Sequence, residues 1–270
     1  MCEQWARKLS DDYRERASQL NIFDCSIWLG SPEGFPLARE MIFKKLEKEM
    51  SDFFITGGLI SHWLGKTLSA QAGNRDLEEK AEMFPENMYG IWTGLPFYPS
   101  PSGPGPVPGK GRPHRSMRGV RIFPASHNYV PEDWVIGTLC EWLIRYNLPL
   151  FIWHTEINWP SLHRLAVRYP SLTIIVETQT KKILYHARML FTLMRECSNI
   201  LVETSNFAGQ GYIEYAVKEF GAERLIFGSF MPVNDPLVPT GMIIDADIEE
   251  KDKLLIASGS IKRIIEGVHL

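Results

Sequence analysis

Short apolar runs alternate with longer amphipathic stretches along the chain, and this alternation predicts a repeated strand–helix unit. The apolar runs are Ile22–Leu29, Phe53–Ile60, Tyr89–Phe97, Gly119–Phe123, Leu150–His154, Leu172–Val176, Ile200–Glu203 and Leu225–Gly228. Most are rich in Ile, Val, Phe and Leu without strict alternation, as in parallel strands buried on both faces. The segments between them predict helices over Leu37–Glu49, Leu68–Met83, Glu132–Tyr146, Pro160–Tyr169, Ile183–Glu196, Tyr212–Phe220 and Ile248–Glu266. Within Glu132–Tyr146, the residues Val135, Leu139, Trp142, Leu143 and Tyr146 recur at the spacing of a helix facing a sheet. Pro160 stands in a first turn, where its missing N–H costs little, and Pro170 ends the helix.

Eight such units in about 250 residues match the size of a TIM barrel. The fold expected is therefore an α/β, TIM (β/α)8 barrel over residues 21–270, with a helix over 1–20 capping one end. A doubly wound sheet alternates in the same way, so the pattern alone does not decide closure. One linker breaks the rhythm: Pro99–Arg115 carries six prolines and four glycines, and no helix forms in such a sequence. It distorts the barrel after strand three. Two readings stand, a semi-rigid surface excursion and a lid over the mouth, and the charge of Lys110, Arg112, His114 and Arg115 favours the lid.

Composition narrows the function classes. The chain has 270 residues, 44% hydrophobic and 23% charged, which excludes collagen-like, disordered and disulfide-scaffold proteins. Lys+Arg 29 against Asp+Glu 32 leaves no basic excess for a nucleic-acid partner. No stretch reaches the roughly 18 uninterrupted apolar residues of a membrane span. The start, MCEQWARKLSDDYRER, lacks the apolar core of a signal peptide, so a cytoplasmic protein is expected. Cys2, Cys25, Cys140 and Cys197 are too scattered for a disulfide framework or a CxxC metal site.

Several stretches together resemble the amidohydrolase-related family of the amidohydrolase superfamily. They are RGVRIFPASHNY (Arg118–Tyr129), LCEWLIRYNLPLFIWHTE ending at Glu156, RYPSLTIIVET, NILVETSNF and FGAERLIFGSFMP (Phe220–Pro232). The last is the most specific, since members typically read GxxRxxFGSDxP. The resemblance covers about Asn21 to Gly267 and implies a barrel hydrolase or decarboxylase with a divalent metal. That metal lowers the pKa of a bound water and polarises the substrate. Its family ligands are a His-x-His pair on strand one, a His each on strands five and six, and an Asp ending strand eight. Here the pair is Ser26 and Trp28, His154 keeps the strand-five position, Thr178 takes the strand-six position, and Phe230 replaces the Asp. One imidazole with two alcohols, an indole and a phenyl ring is not a metal ligand set. No cofactor is expected.

The residues left for chemistry are few. His154 and Glu156 share strand parity and form a plausible base and orienting pair. Arg121 in GVRIFP is placed to hold a substrate carboxylate, and Ser26, Trp28, Trp92, Thr178 and Phe230 complete the expected substrate-binding set. By parity Asp24 faces the interior, Cys25 faces the helix layer as a buried thiol, and Glu177 points outward to a salt bridge there. Glu203 and Ser205 share a face near the strand-seven end, His62 reads as a packed or surface histidine, and His127 lies on a loop beyond Arg121. A Ser26–His154–Glu156 or Glu203 triad is a weak reading, because no G-x-S-x-G elbow exists in the chain. Three functions remain: a metal-independent hydrolase or decarboxylase of a small carboxylated or aromatic substrate, an inactive barrel binding a ligand or protein partner, and, last, a metal rebuilt from His154, Glu156 and His62 or His127. The resemblance also implies a homodimer paired through helices, to which Trp134 or the N-terminal helix could contribute.

Overall fold

Each strand places one set of alternate side chains against the helices and the other into a shared interior, and this double burial orders the fold. The structure, a computed structural model, describes residues 2–35, 38, 40–96, 113–179 and 183–269. Eight strands follow in sequence order: β1 (Ile22–Leu29), β2 (Ile55–His62), β3 (Met88–Thr93), β4 (Met117–Ile122), β5 (Leu150–Trp153), β6 (Ile174–Glu177), β7 (Ile200–Glu203) and β8 (Leu225–Ile226). Neighbours pair in parallel, in the order β1 to β8. The ring closes where the amide of Cys25 donates to Phe227 O at 3.1 Å and Ile27 bridges Met231 in parallel. The expected α/β TIM barrel is thus observed.

The helices are α1 (Cys2–Gln19), α2 (Phe43–Asp52), α3 (Trp63–Thr67), α4 (Ala70–Lys80), α5 (Asp133–Tyr146), α6 (Trp159–Arg168), α7 (Ala187–Glu196), α8 (Tyr212–Phe220), α9 (Leu237–Asp245), α10 (Glu250–Leu254) and α11 (Ser260–Glu266). A π-helical turn over Leu255–Gly259 joins the last two and offers Ile256 O to the Phe227 amide at 3.0 Å. Asn158 caps α6 by accepting from the Ser161 amide at 2.9 Å, with Pro160 behind it in the first turn. α1 docks on α9, where the Tyr13 hydroxyl donates to Leu237 O at 2.9 Å and Arg16 to Ile244 O at 2.5 Å.

Several expected boundaries move. β2 starts at Ile55, two residues after the expected Phe53, because Phe53 and Phe54 close α2 instead, Phe54 in the left-handed region at φ 61°. β8 is two residues long, Leu225 and Ile226, paired with Val202 and Glu203 of β7. α9 occupies a stretch expected as loop, and α3 adds a turn directly after β2. β3 ends at Thr93, and residues 97–112, which include the linker from 99 to 112, lie outside the described residues, as does residue 37. Among the described residues no helix is long and apolar enough to cross a membrane.

Ile27, Ile60, Val120, Ile122, Leu150, Ile152, Ile174, Val176 and Val202 belong to the large core between barrel and helices. Phe23, Cys25, Leu59, Ile91, Phe151, Ile175, Leu201 and Ile226 form a separate cluster with Ile261 and Ile265 of α11. These alternate along the strands with the outer set, so they fill the barrel interior.

Candidate functional site

Above the interior apolar layer lies a buried polar layer, and above that a layer of rings. On β2, β6 and β7 the next inward positions after Leu59, Ile175 and Leu201 are Ser61, Glu177 and Glu203, and these belong to the polar layer. Arg121 of β4 donates from Nε to Glu177 Oε2 at 2.8 Å and from Nη2 to Glu177 Oε1 at 2.6 Å. It also donates from Nη1 to Ser61 Oγ and from Nη2 to Cys25 O at 3.4 Å. Gln179 Nε2 donates to Ser26 Oγ and, at 2.9 Å, to Glu177 Oε1.

Two more carboxyls are buried at this level. Glu203 accepts from the amides of Thr178 (3.0 Å) and Ser205 (2.7 Å) and from the Ser205 hydroxyl at 3.0 Å. Burial pushes Glu203 up to about 8, with the neighbouring Glu177 charge adding to the shift. An added Cβ at Gly228 would stand 2.2 Å from Glu203 Oε1, so only glycine leaves room for this carboxyl. Asp24 accepts from the amides of Ser26 (2.8 Å) and Ser229 (3.0 Å) and from the Ser229 hydroxyl at 2.5 Å. Burial raises it too, against these hydrogen bonds.

Trp28, Trp63, Phe123, Trp153 and Phe230 form the ring layer, all buried and in mutual contact. The Trp28 ring lies 4.6 Å from that of Trp63 and 5.5 Å from that of Trp153, and Phe230 meets Trp153 edge-on at 5.5 Å. Phe230 reaches this place from φ 61°, a costly backbone region for a bulky residue, held by amides of Val233 (2.9 Å) and Asn234 (3.1 Å) on its carbonyl. Trp28 also covers the Arg121 guanidinium, 4.6 Å from the ring centroid.

On the rim, Lys66 Nζ lies over the rings of Trp153 (5.0 Å) and Phe123 (5.2 Å), donates to Ser126 Oγ at 2.6 Å and pairs with Glu156 Oε1 at 3.1 Å. Ser126 donates to Glu156 through both its amide (2.8 Å) and its hydroxyl (2.6 Å). His154 is buried at the end of β5, with Nδ1 3.2 Å from Glu177 O and its ring 5.5 Å from that of His186.

The expected site residues therefore separate. Trp28 and Phe230 meet in the ring layer, Ser26 bonds to Gln179, Thr178 bonds to Glu203 and the Asn206 amide, His154 follows β5 beside His186, and Glu156 joins the rim with Lys66 and Ser126. Arg121 is corrected: it does not reach outward for a substrate, because Glu177, Ser61 and Cys25 O take up its guanidinium. Trp92 is corrected as well. Its neighbour Ile91 faces the interior, so Trp92 packs on the outer core and stacks on His114 at 6.1 Å. Glu177 points inward, not to the helix layer, and so does Cys25, since the register of β1 shifts between Asp24 and Ile27. Burial pushes the Cys25 thiol well up, so it is inert. His62 is packed, with Nδ1 accepting from the Leu64 amide at 3.1 Å and Nε2 3.2 Å from Asp76. His127 Nε2 meets Lys66 O at 2.9 Å.

The fit of the mouth to a divalent ion can be tested position by position. Ser26 Oγ is occupied by Gln179, and Thr178 Oγ1 donates to Glu203 O at 3.0 Å while accepting from the Asn206 amide at 2.9 Å. Trp28 and Phe230 offer rings. Among the described residues no group of three His, Cys, Asp or Glu side chains is arranged to hold a metal. The family's ion does not fit this donor set.

A closed eight-stranded parallel barrel with its candidate site at the carboxyl ends of the strands defines a TIM-barrel protein of the amidohydrolase type. The family model Amidohydro_2, described as amidohydrolase, matches residues 110–257, just over half of the chain, and the protein belongs to that family. Solved structures of similar fold include 5-carboxyvanillate decarboxylase LigW from Sphingomonas paucimobilis, with TM-score 0.66 and 13% identity over 92% of this chain and 99% of that one. Dihydroxybenzoic acid decarboxylase from Polaromonas sp. JS666, solved with manganese and the inhibitor 2-nitroresorcinol, gives TM-score 0.68 and 13% identity over 91% and 97%. Amidohydrolase 2 from Bifidobacterium longum subsp. infantis gives 0.66 and 16% over 91% and 98%. At these identities the likeness shows the fold. No curated protein matches the sequence.

Proposed function

We propose that this barrel takes a small carboxylated aromatic molecule at its mouth and hydrolyses or decarboxylates it without a divalent metal. The observation that carries the reading is the orientation of His154. Its Nδ1 lies 3.2 Å from the Glu177 carbonyl, an oxygen that can only accept, so this contact fixes the ring at the family's strand-five position. An imidazole oriented by a hydrogen bond at one ring nitrogen is a common form of general base. The rings of Phe123 and Trp153, set edge to face, supply apolar surface, and Lys66 over them, paired with Glu156, supplies a cation that a substrate carboxylate would share. The names of the decarboxylases of similar fold point to the same class of substrate.

A second reading has its own observation. Trp28 and Phe230 are almost fully buried at two ligand positions, which favours an inactive barrel that binds its ligand on the ring layer. Purified protein incubated with hydroxylated benzoates in excess chelator, with products resolved by chromatography, separates the two. Turnover that falls at least about 100-fold in His154→Gln supports the base. Binding by calorimetry without turnover sinks the enzymatic reading and supports the second. Full activity in His154→Gln removes the nominated base.

A further inference from the structure

The family's cation does not fit the mouth, and the reason lies one residue beneath the ligand positions. Cys25 directly precedes Ser26, and Glu177 directly precedes Thr178; Arg121 binds the carbonyl of the first and the carboxylate of the second. Trp28, a third ligand position, has its ring centroid 4.6 Å from the Arg121 guanidinium carbon. One ligand position and the residues directly before two others thus meet one internal cation, anchored on β4 and reaching β1, β2 and β6. Gln179 closes the circle by tying Ser26 Oγ to Glu177 Oε1.

We infer that Arg121 is a built-in replacement for the family's divalent ion, the positive charge around which the barrel interior is organised. The chemistry suits the task. A buried carboxylate without a cation is strongly destabilising, and a planar guanidinium meets both oxygens of Glu177 at once while its remaining donors satisfy Ser61 and Cys25 O. The charge is permanent and covalently attached, so it needs neither uptake nor retention of an ion. The proposal deepens the metal-free reading of the mouth and rests on it for the ligand positions, but it concerns charge balance and not turnover. Its test uses no activity, so failure of the His154 assignment leaves it standing.

The test is thermal melting of the full chain and three variants, Arg121→Ala, Glu177→Gln and the double variant Arg121→Met with Glu177→Gln, with metal analysis of the natural protein. Arg121→Ala should melt roughly 10 °C lower, as expected when one partner of a buried pair is removed. Guanidinium at tens of millimolar should recover part of that loss, while urea at the same concentration should not. Arg121→Met with Glu177→Gln, which removes both charges, should melt closer to the natural chain than either single variant and show no recovery by guanidinium. If Arg121→Ala does not fold, folding of the double variant supports the proposal, and its failure to fold overturns it. Stoichiometric zinc or manganese retained by the natural protein after dialysis would overturn it directly. So would an Arg121→Ala that melts with the natural chain or gains nothing from guanidinium.

Discussion

Two arginine–carboxylate pairs in this barrel have nearly the same shape and opposite surroundings. Arg121 meets Glu177 through Nε and Nη2 at 2.8 and 2.6 Å, and Arg164 meets Glu132 through the same atoms at 3.2 and 2.5 Å. Each has a serine hydroxyl as an added partner, Ser61 inside and Ser161 outside. The interior side chains are 1% and 0% exposed, whereas Arg164 is 56% and Glu132 26% exposed. Water stands ready to replace either partner of the outer pair, and nothing replaces a partner of the inner one. Geometry alone therefore does not rank ion pairs; the medium around them does.

The largest break in that contrast comes from opening the roof of the inner pair. Trp28→Ala removes a buried indole from among Trp63, Trp153 and Phe230 and uncovers Arg121. Urea unfolding should show a loss of about 4 kcal/mol, the usual scale for a buried tryptophan. A loss under about 1 kcal/mol would mean that the ring layer does not keep water from the polar layer.

Glu203 sharpens the comparison through pH. Its folded value of about 8 stands above the ordinary 4.5, so the folded state holds a proton that the unfolded chain gives up first. The stability this carboxyl contributes is full below about pH 4.5 and is lost as pH rises toward 8. Across that window the loss should be on the order of 4 kcal/mol. Melting temperatures from pH 5 to 9 should fall less in Glu203→Gln, which carries no titrating proton. Parallel curves for the two proteins would show that Glu203 is already ionised inside the barrel.

How far the sequence exposes this arrangement depends on where alternation holds. It holds within the strands, so the βα order and the barrel are readable from apolar runs alone. It fails at their ends. His154 and Thr178 are the first residues beyond β5 and β6, where the chain has left the pleat, and counting parity from them turns Glu177 the wrong way. Counting from Phe151 and Ile175 instead places Trp153 and Glu177 inward, as observed. The register shift in β1 does the same to Cys25. α9 is unreadable for another reason, since Pro236, Pro239 and Gly241 carry the composition of a loop while burial of Ile243 and Ile244 holds the helix. Lys66 and Ser126 give no signal at all, because their meeting depends on the turn of α3 over the rings.

Smaller effects test the outer side of the contrast. The Asn158 cap lies beside Ser161, which itself donates to Glu132 at 2.9 Å. Asn158→Ala should cost about 1 kcal/mol in urea unfolding, the ordinary value of a helix cap. A much larger loss would mean that the cap, Ser161 and the outer ion pair act as one unit.

The smallest effect should come from Arg164→Ala. Its hydrogen bonds to Glu132 hold that carboxyl below the usual carboxylate range. Yet removing Arg164 leaves Glu132 within reach of water and still bonded to the Ser161 hydroxyl. The melting temperature should stay within measurement error at moderate salt, where charges this exposed are screened. A fall comparable to that of Arg121→Ala would mean that two-pronged geometry itself, and not burial, sets the weight of both pairs, and the contrast would be lost.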